Sequence, residues 1–121
     1  MPVRHFTDLI AWQKAVDLVV LVYQATEPFP SREIFGIVNQ MRRAAVSVPS
    51  NIAEGQGRLG SKEFSRFLGI ARGSLQELQT QVIIAERLTF LAMENSQKLQ
   101  EMTSEVARII NGLLSSLTTN D

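Results

Sequence analysis

Four stretches of this chain repeat apolar residues at steps of three and four. No stretch of useful length alternates apolar with polar residues at a step of two. The first spacing follows the 3.6-residue helical turn and the second would follow a strand, so the pattern asks for helices and gives strands no support. The first stripe is Leu9, Trp12, Val16, Val19 and Tyr23. The second is Val38, Met41, Ala45, Val48 and Ile52. The third, Phe64, Leu68, Ala71, Leu75, Leu78, Val82 and Ala85, keeps a heptad spacing for three repeats. The fourth is Leu99, Val106, Ile110, Leu113 and Leu117.

Punctuation separates the stretches. Pro28-Phe29-Pro30-Ser31 is the first break, since proline cannot continue a helix and restricts the residue before it. Gly55, Gly57 and Gly60 make the second. Between 74 and 111 there is neither glycine nor proline, and the third heptad continues through Thr89, Ala92, Ser96, Leu99 and Thr103. Register alone would permit one long helix. The polar residues argue for a turn between Thr89 and Ser96, with Asn95 or Ser96 as a cap. Four amphipathic helices with short connections predict an all-α, antiparallel up-down-up-down four-helix bundle. At 121 residues and 45% apolar content the chain makes one core and one domain over 1–121, not a disordered tail.

Pro49 falls inside the second helix and should free the carbonyl of Ala45, kinking the helix there. Ser47 and Ser50 stand near enough to help satisfy that group. A helix ending near Val48 and restarting at Asn51, with Glu54 completing an Asn-x-x-Glu box, is the alternative. The kinked continuous helix is the reading adopted. The first helix carries Ile10, Leu18, Leu21 and Val22 outside its stripe. A helix apolar most of the way round is buried on more than one side. Those four residues are therefore the expected oligomer interface; one unusually deep helix in a monomer is the alternative.

Twelve basic and twelve acidic side chains cancel, so no global charge draws the chain to nucleic acid or membrane. The ends are acidic and the middle is basic. Residues 1–31 hold two basic and three acidic groups, 32–60 four and two, 61–88 four and three, and 89–121 two and four. Lys62, Arg66, Arg72 and Arg87 fall within about 120° of the third helix, a basic face roughly 37 Å long. Four cations are few for tight nucleic-acid binding, but repetition around an oligomer would multiply them. Met1 to Asp8 leads into no apolar run, so no signal peptide is expected, and the longest aliphatic run, Leu18 to Val22, is far short of the ~20 residues a membrane span needs. The expected location is the cytoplasm, without membrane contact.

Chemistry is sparse. Gly55-Gln56-Gly57-Arg58-Leu59-Gly60 spells G-x-G-x-x-G, but that fingerprint needs a strand before it and a βαβ unit around it. Here the glycines end one helix and turn into the next. Ser61 is the expected cap of the third helix, and Arg58, Lys62 and Arg66 gather about its N-terminus, an arrangement that can hold a phosphate. There is no cysteine, and His5 is the sole histidine. Glu54, Glu63 and Glu77 are isolated carboxylates without a Glu-x-x-His pair. No catalytic residue, metal, cofactor or small-molecule substrate is expected, and no enzyme. Gly69 and Gly73 form a G-x-x-x-G step, read as a place of close helix contact.

Five segments together carry a family resemblance. They are Phe6-x-Asp8-Leu9-x-x-Trp12-Gln13-x-Ala15, Phe29-Pro30-x-x-Glu33-x-Phe35-Gly36, Gln40-x-Arg42-Arg43-Ala44, Ser50-Asn51-Ile52-Ala53-Glu54-Gly55 and Phe67-Leu68-x-Ile70-Ala71-Arg72-Gly73-Ser74-Leu75-x-Glu77-Leu78. From about Phe6 to Leu117 the chain resembles the four-helix-bundle proteins encoded by intervening sequences within bacterial large-subunit ribosomal RNA genes. Thr89-Phe90-Leu91 departs from the family, which usually has a glycine before the aromatic residue. The resemblance implies an antiparallel bundle, assembly in rings commonly of five copies, and no known enzymatic activity. A related branch is an accessory to the reverse transcriptase of diversity-generating retroelements, thought to bind nucleic acid through basic surfaces. On that footing Arg42, Arg43, Arg58, Lys62, Arg66, Arg72 and Arg87 are the candidate RNA or DNA contacts. Asn51, Glu54, Ser74 and Glu77 are the candidate structural polar network, and a cluster of both signs favours structure over binding. A homo-oligomeric nucleic-acid-binding accessory is the first functional expectation, and a protein-interaction scaffold without nucleic acid is the second.

Overall fold

The computed structural model describes residues 5–119, with the side chains of residues 118 and 119 left aside. Short 3-10 turns at Phe6–Asp8 and Ser31–Glu33 precede the first two of four helices: α1 Ile10–Thr26, α2 Ile37–Gln56, α3 Ser61–Arg87 and α4 Met93–Thr119. The described residues hold no strand. The chain folds as an all-α four-helix bundle, with α1 packed on α2 and α4, and α3 likewise on α2 and α4. Ser47 meets Ser74 while Gly55 lies against Phe67, so advancing along α2 means retreating along α3. Arg72 meets Asn111 and Gln79 meets Gln100, which gives α3 and α4 the same relation.

The stripes read for the last three helices are the core, except that Phe64, Leu113 and Leu117 are half-buried at its edge. Val38, Met41, Ala45, Val48 and Ile52 are buried, as are Leu68, Leu75, Leu78, Val82, Leu99, Val106 and Ile110. The stripe of α1 is corrected. Its buried residues are Ala11, Ala15, Leu18, Val22 and Thr26, while Trp12, Val16 and Val19 are half-buried on the flank and Tyr23 is exposed. Two alanines let the α1 backbone approach its neighbours, so the small residues face inward and the large ones lie at the rim. Leu18 and Val22 are 0% exposed inside the protomer, which removes them from the expected interface. Ile10 is exposed and Leu21 half-buried. The surplus of apolar surface on α1 is therefore real, but it sits on the flanks that include Tyr23 and Val20, not on Leu18 and Val22.

α2 runs unbroken through Pro49, whose side chain is buried; it does not restart at Asn51. The glycine reading divides. Gly57 is the C-cap of α2, and Gly60, at φ 95°, is the N-cap of α3. Ser61 is thus the first residue of α3 and not its cap. Gly55 lies inside α2, where a Cβ would stand 2.6 Å from the Cβ of Phe67. Its bareness allows α2 and α3 to touch. Gly69 and Gly73 do the opposite of what their spacing promised: a Cβ on either would meet nothing within 4 Å, so neither marks a close contact inside the bundle.

The third break lies at residues 88–92, one turn earlier than a cap at Asn95 or Ser96 would put it. The amide of Phe90 donates to the Ala85 carbonyl and that of Thr89 to the Glu86 carbonyl, each at 3.0 Å. These two bonds are the Schellman pattern, which requires a left-handed residue between them. Thr89 supplies it at φ 63°, the sole described non-glycine residue with positive φ. Ser96 is buried in α4 and donates to a Glu86 carboxylate oxygen at 2.7 Å, tying the end of α3 to the start of α4.

Candidate nucleic-acid interface

The fold distributes the seven candidate cations over different parts of the surface and holds four of them. Arg42 is a strut between α1 and α2. Its Nε donates to Thr26 Oγ1 at 3.0 Å, its Nη2 reaches the Tyr23 carbonyl at 3.5 Å, and its guanidinium stands 4.5 Å from the centre of the Tyr23 ring. Glu27 completes the set at 3.5 Å. Arg42 is the most enclosed of the ion-paired arginines, its side chain 23% exposed, and planar stacking with a charge-assisted bond suits a guanidinium better than an ammonium. Arg72 plays a similar part between α3 and α4, donating from Nη1 to Asn111 Oδ1 at 3.1 Å.

Arg58 and Arg66 flank the ring of Phe67, at 5.2 and 4.5 Å from its centre. Each also holds a carboxylate, Glu54 at 2.8 Å and Glu63 at 3.1 Å. The Arg66 hydrogen bond holds the Glu63 carboxyl below its ordinary value, and Glu63 in turn raises Arg66. Exposed pairs of this kind are weak, so either arginine can exchange its carboxylate for a phosphate. Arg43, Lys62 and Arg87 are exposed, with no ion-pair partner among the described residues. Lys62 lies in the first turn of α3 and Arg87 in its last, so they bracket the basic face at opposite ends of the helix.

The candidate polar network is half assembled. Ser74 shares a 2.8 Å hydroxyl–hydroxyl bond with Ser47, and Asn51 Nδ2 donates to the Ser47 carbonyl at 2.8 Å and its hydroxyl at 3.0 Å. Glu54 and Glu77 stand outside it. Glu54 faces Arg58, and Glu77 accepts from Gln81 Nε2 at 3.1 Å. Ser47 is the missed centre. A hydroxyl four residues before Asn51 on one helical face was the available signal. Thr26, a buried hydroxyl that accepts between helices, is also absent from the sequence reading, and Ser96, read there as a cap, is instead a buried donor from α4 to α3.

An open cleft of about 520 Å³ lies between α1 and α2, lined by Tyr23, Ile34, Val38, Arg42, Arg43 and Val46 among others. A shallower groove between α1 and α4 is lined by Leu21, Lys98, Glu101, Met102 and Glu105. No group of three His, Cys, Asp or Glu side chains converges among the described residues. None of the helices is long and apolar enough to cross a membrane.

These features define a class: a four-helix bundle whose polar groups mainly tie helix to helix, with charge and apolar surface left on its outer faces. Within that class the chain belongs to the 23S rRNA-intervening sequence protein family, whose sequence profile matches residues 7–112. Its backbone is similar to the crystal structure of a protein of unknown function from the S23 ribosomal protein family of Bacteroides thetaiotaomicron. The TM-score is 0.81 at 16% identity, covering 87% of this chain and 98% of that one. At that identity the likeness concerns the fold. Among curated proteins none matches the chain.

Proposed function

We propose that this protein is a non-enzymatic, cytoplasmic helical bundle that assembles with copies of itself and serves as an accessory binding RNA or DNA. The observation that carries the reading is the pairing of surplus apolar surface with a small number of available cations. Exposed Ile10, Val20, Tyr23 and Ile34 leave apolar area that association would cover. One protomer offers Lys62 and Arg87 outright, with Arg58 and Arg66 on exchange of their carboxylates. Counterion release scales with the number of phosphates neutralised, so a single copy binds weakly and an assembly binds in proportion to its copies. The family resemblance favours five.

Filter binding of single- and double-stranded RNA and DNA at two salt concentrations tests this. Binding that falls steeply with salt, and falls again in Lys62→Ala and Arg66→Ala, supports it; no binding at low salt removes the nucleic-acid role. The second reading, a protein-interaction scaffold, draws on the α1–α2 cleft, where apolar side chains and a tethered Arg42 fit a protein surface better than a phosphate backbone.

A further inference from the structure

We infer that the α1–α2 cleft of one copy receives the α1–α4 edge of the next, with Arg43 facing Glu101. This rests on the self-association proposed above and names the surfaces that carry it. The two faces are complementary in charge. Arg42 and Arg43 stand in the cleft against the single carboxylate Glu27. Along the α1–α4 edge, Asp17, Glu94, Glu101 and Glu105 stand against Lys14, Lys98 and Arg108, and Lys14 already pairs with Glu105 at 3.2 Å. Arg43 and Glu101 are an exposed cation and an exposed anion, neither with an ion-pair partner among the described residues.

The faces also match in apolar content and in height. Tyr23, Ile34 and Val46 border the cleft, and Leu21 and Met102 lie in the groove. The bonds from Arg42 to Thr26 and the Tyr23 carbonyl place Arg43 beside the last two turns of α1. The Lys14–Glu105 pair fixes the register of α4 on α1, and one turn further on Glu101 stands level with Leu18. Arg43 and Glu101 therefore differ in height by about five residues of α1, ~8 Å, which the extended arginine and glutamate side chains span together.

The two faces differ from each other, so the contact is head to tail, and they share α1 as their common edge. Head-to-tail contacts close into a ring when the rotation between copies closes and otherwise grow a filament; faces that meet at an edge supply a large rotation at each step. α1 then lies innermost, which accounts for apolar residues on both of its flanks.

Light scattering at micromolar concentration on the full chain, R43E, E101R and the R43E/E101R double variant tests the assignment, with circular dichroism confirming equal helicity. Each single reversal sets like charges face to face and should raise the concentration for half-assembly about tenfold or more. The double variant restores opposite charges at every contact and should recover the parent's mass. Single variants that keep the parent's mass, or a double variant as small as the singles, overturn the face assignment while leaving self-association intact. A parent chain that is monomeric overturns both.

Discussion

The hydroxyls of Ser47 and Ser74 meet at 2.8 Å across the α2–α3 contact, and Asn51 donates to Ser47 from one turn further along α2. Ser74 is 9% exposed, so its hydroxyl has little water to turn to. Removing a partner from a half-buried hydrogen bond costs about 1–2 kcal/mol, whereas removing both partners costs less than twice that. Ser47→Ala should lower stability in urea unfolding by about that amount. Ser47→Ala/Ser74→Ala should cost clearly less than the two single losses together; strict additivity would show that the two hydroxyls do not act as a pair.

Gly55 and Gly69 make a matched comparison. Alanine is favoured over glycine in a helix interior by about 0.5–1 kcal/mol. At Gly69 the new methyl meets open space, so Gly69→Ala should stabilise the bundle by that margin. At Gly55 it would lie 2.6 Å from the Phe67 Cβ and 3.0 Å from Phe64 Cδ1. The first atom is fixed to its backbone and cannot swing aside, so α2 and α3 must part. Overpacking of this kind costs about 1–3 kcal/mol, more than the propensity gain returns. Gly55→Ala should therefore lower the thermal midpoint while Gly69→Ala raises it.

The same pair of glycines shows which parts of the structure could be read from the sequence. Periodicity gave three of the four core stripes because Met41, Leu75 and Ile110 are large residues that face inward. It misplaced the stripe of α1 because Ala11 and Ala15 carry the close packing there, and an alanine has too little side chain to announce a face. The G-x-x-x-G spacing of Gly69 and Gly73 promised a close approach, yet contact occurs at Gly55, whose neighbours Phe64 and Phe67 lie in another helix. The candidate cations were legible as charges. Their commitments were not, because Thr26 lies sixteen residues from Arg42 and Asn111 thirty-nine from Arg72.

Thr89 is a strained substitute at a position built for glycine. Its φ of 63° crowds the Cβ against the backbone, at a cost of about 1–2 kcal/mol for a residue with a side chain. Both Schellman bonds belong to the backbone and survive the loss of the side chain, and Thr89 is exposed. Thr89→Gly should therefore raise stability by about 1 kcal/mol, less than the full strain because glycine loses more freedom on folding. Differential scanning calorimetry would register a rise of a few degrees. A fall would mean that the hydroxyl's 2.6 Å bond to the Leu88 carbonyl outweighs the strain.

Glu63 and Arg66 give the first turn of α3 a defined acid response. The Arg66 guanidinium bonds the Glu63 carboxylate, favours its charged form and holds the carboxyl below its ordinary value. A carboxyl depressed in the folded state adds stability that is present above its unfolded value and lost as pH falls through the folded one. The pair is exposed, so salt screens it and the contribution is small. Carbon-detected NMR titration should place the Glu63 midpoint below that of a free glutamate, and Arg66→Ala should bring it back up. The Lys62 and Arg58 charges also lower it, by less. The residual depression in Arg66→Ala therefore reads the field of the remaining basic cluster, and added phosphate should abolish that residue only if the cluster binds anions. A Glu63 midpoint that does not move on Arg66→Ala would show that the hydrogen bond, and with it the pinned geometry of Arg66 over Phe67, is absent in solution.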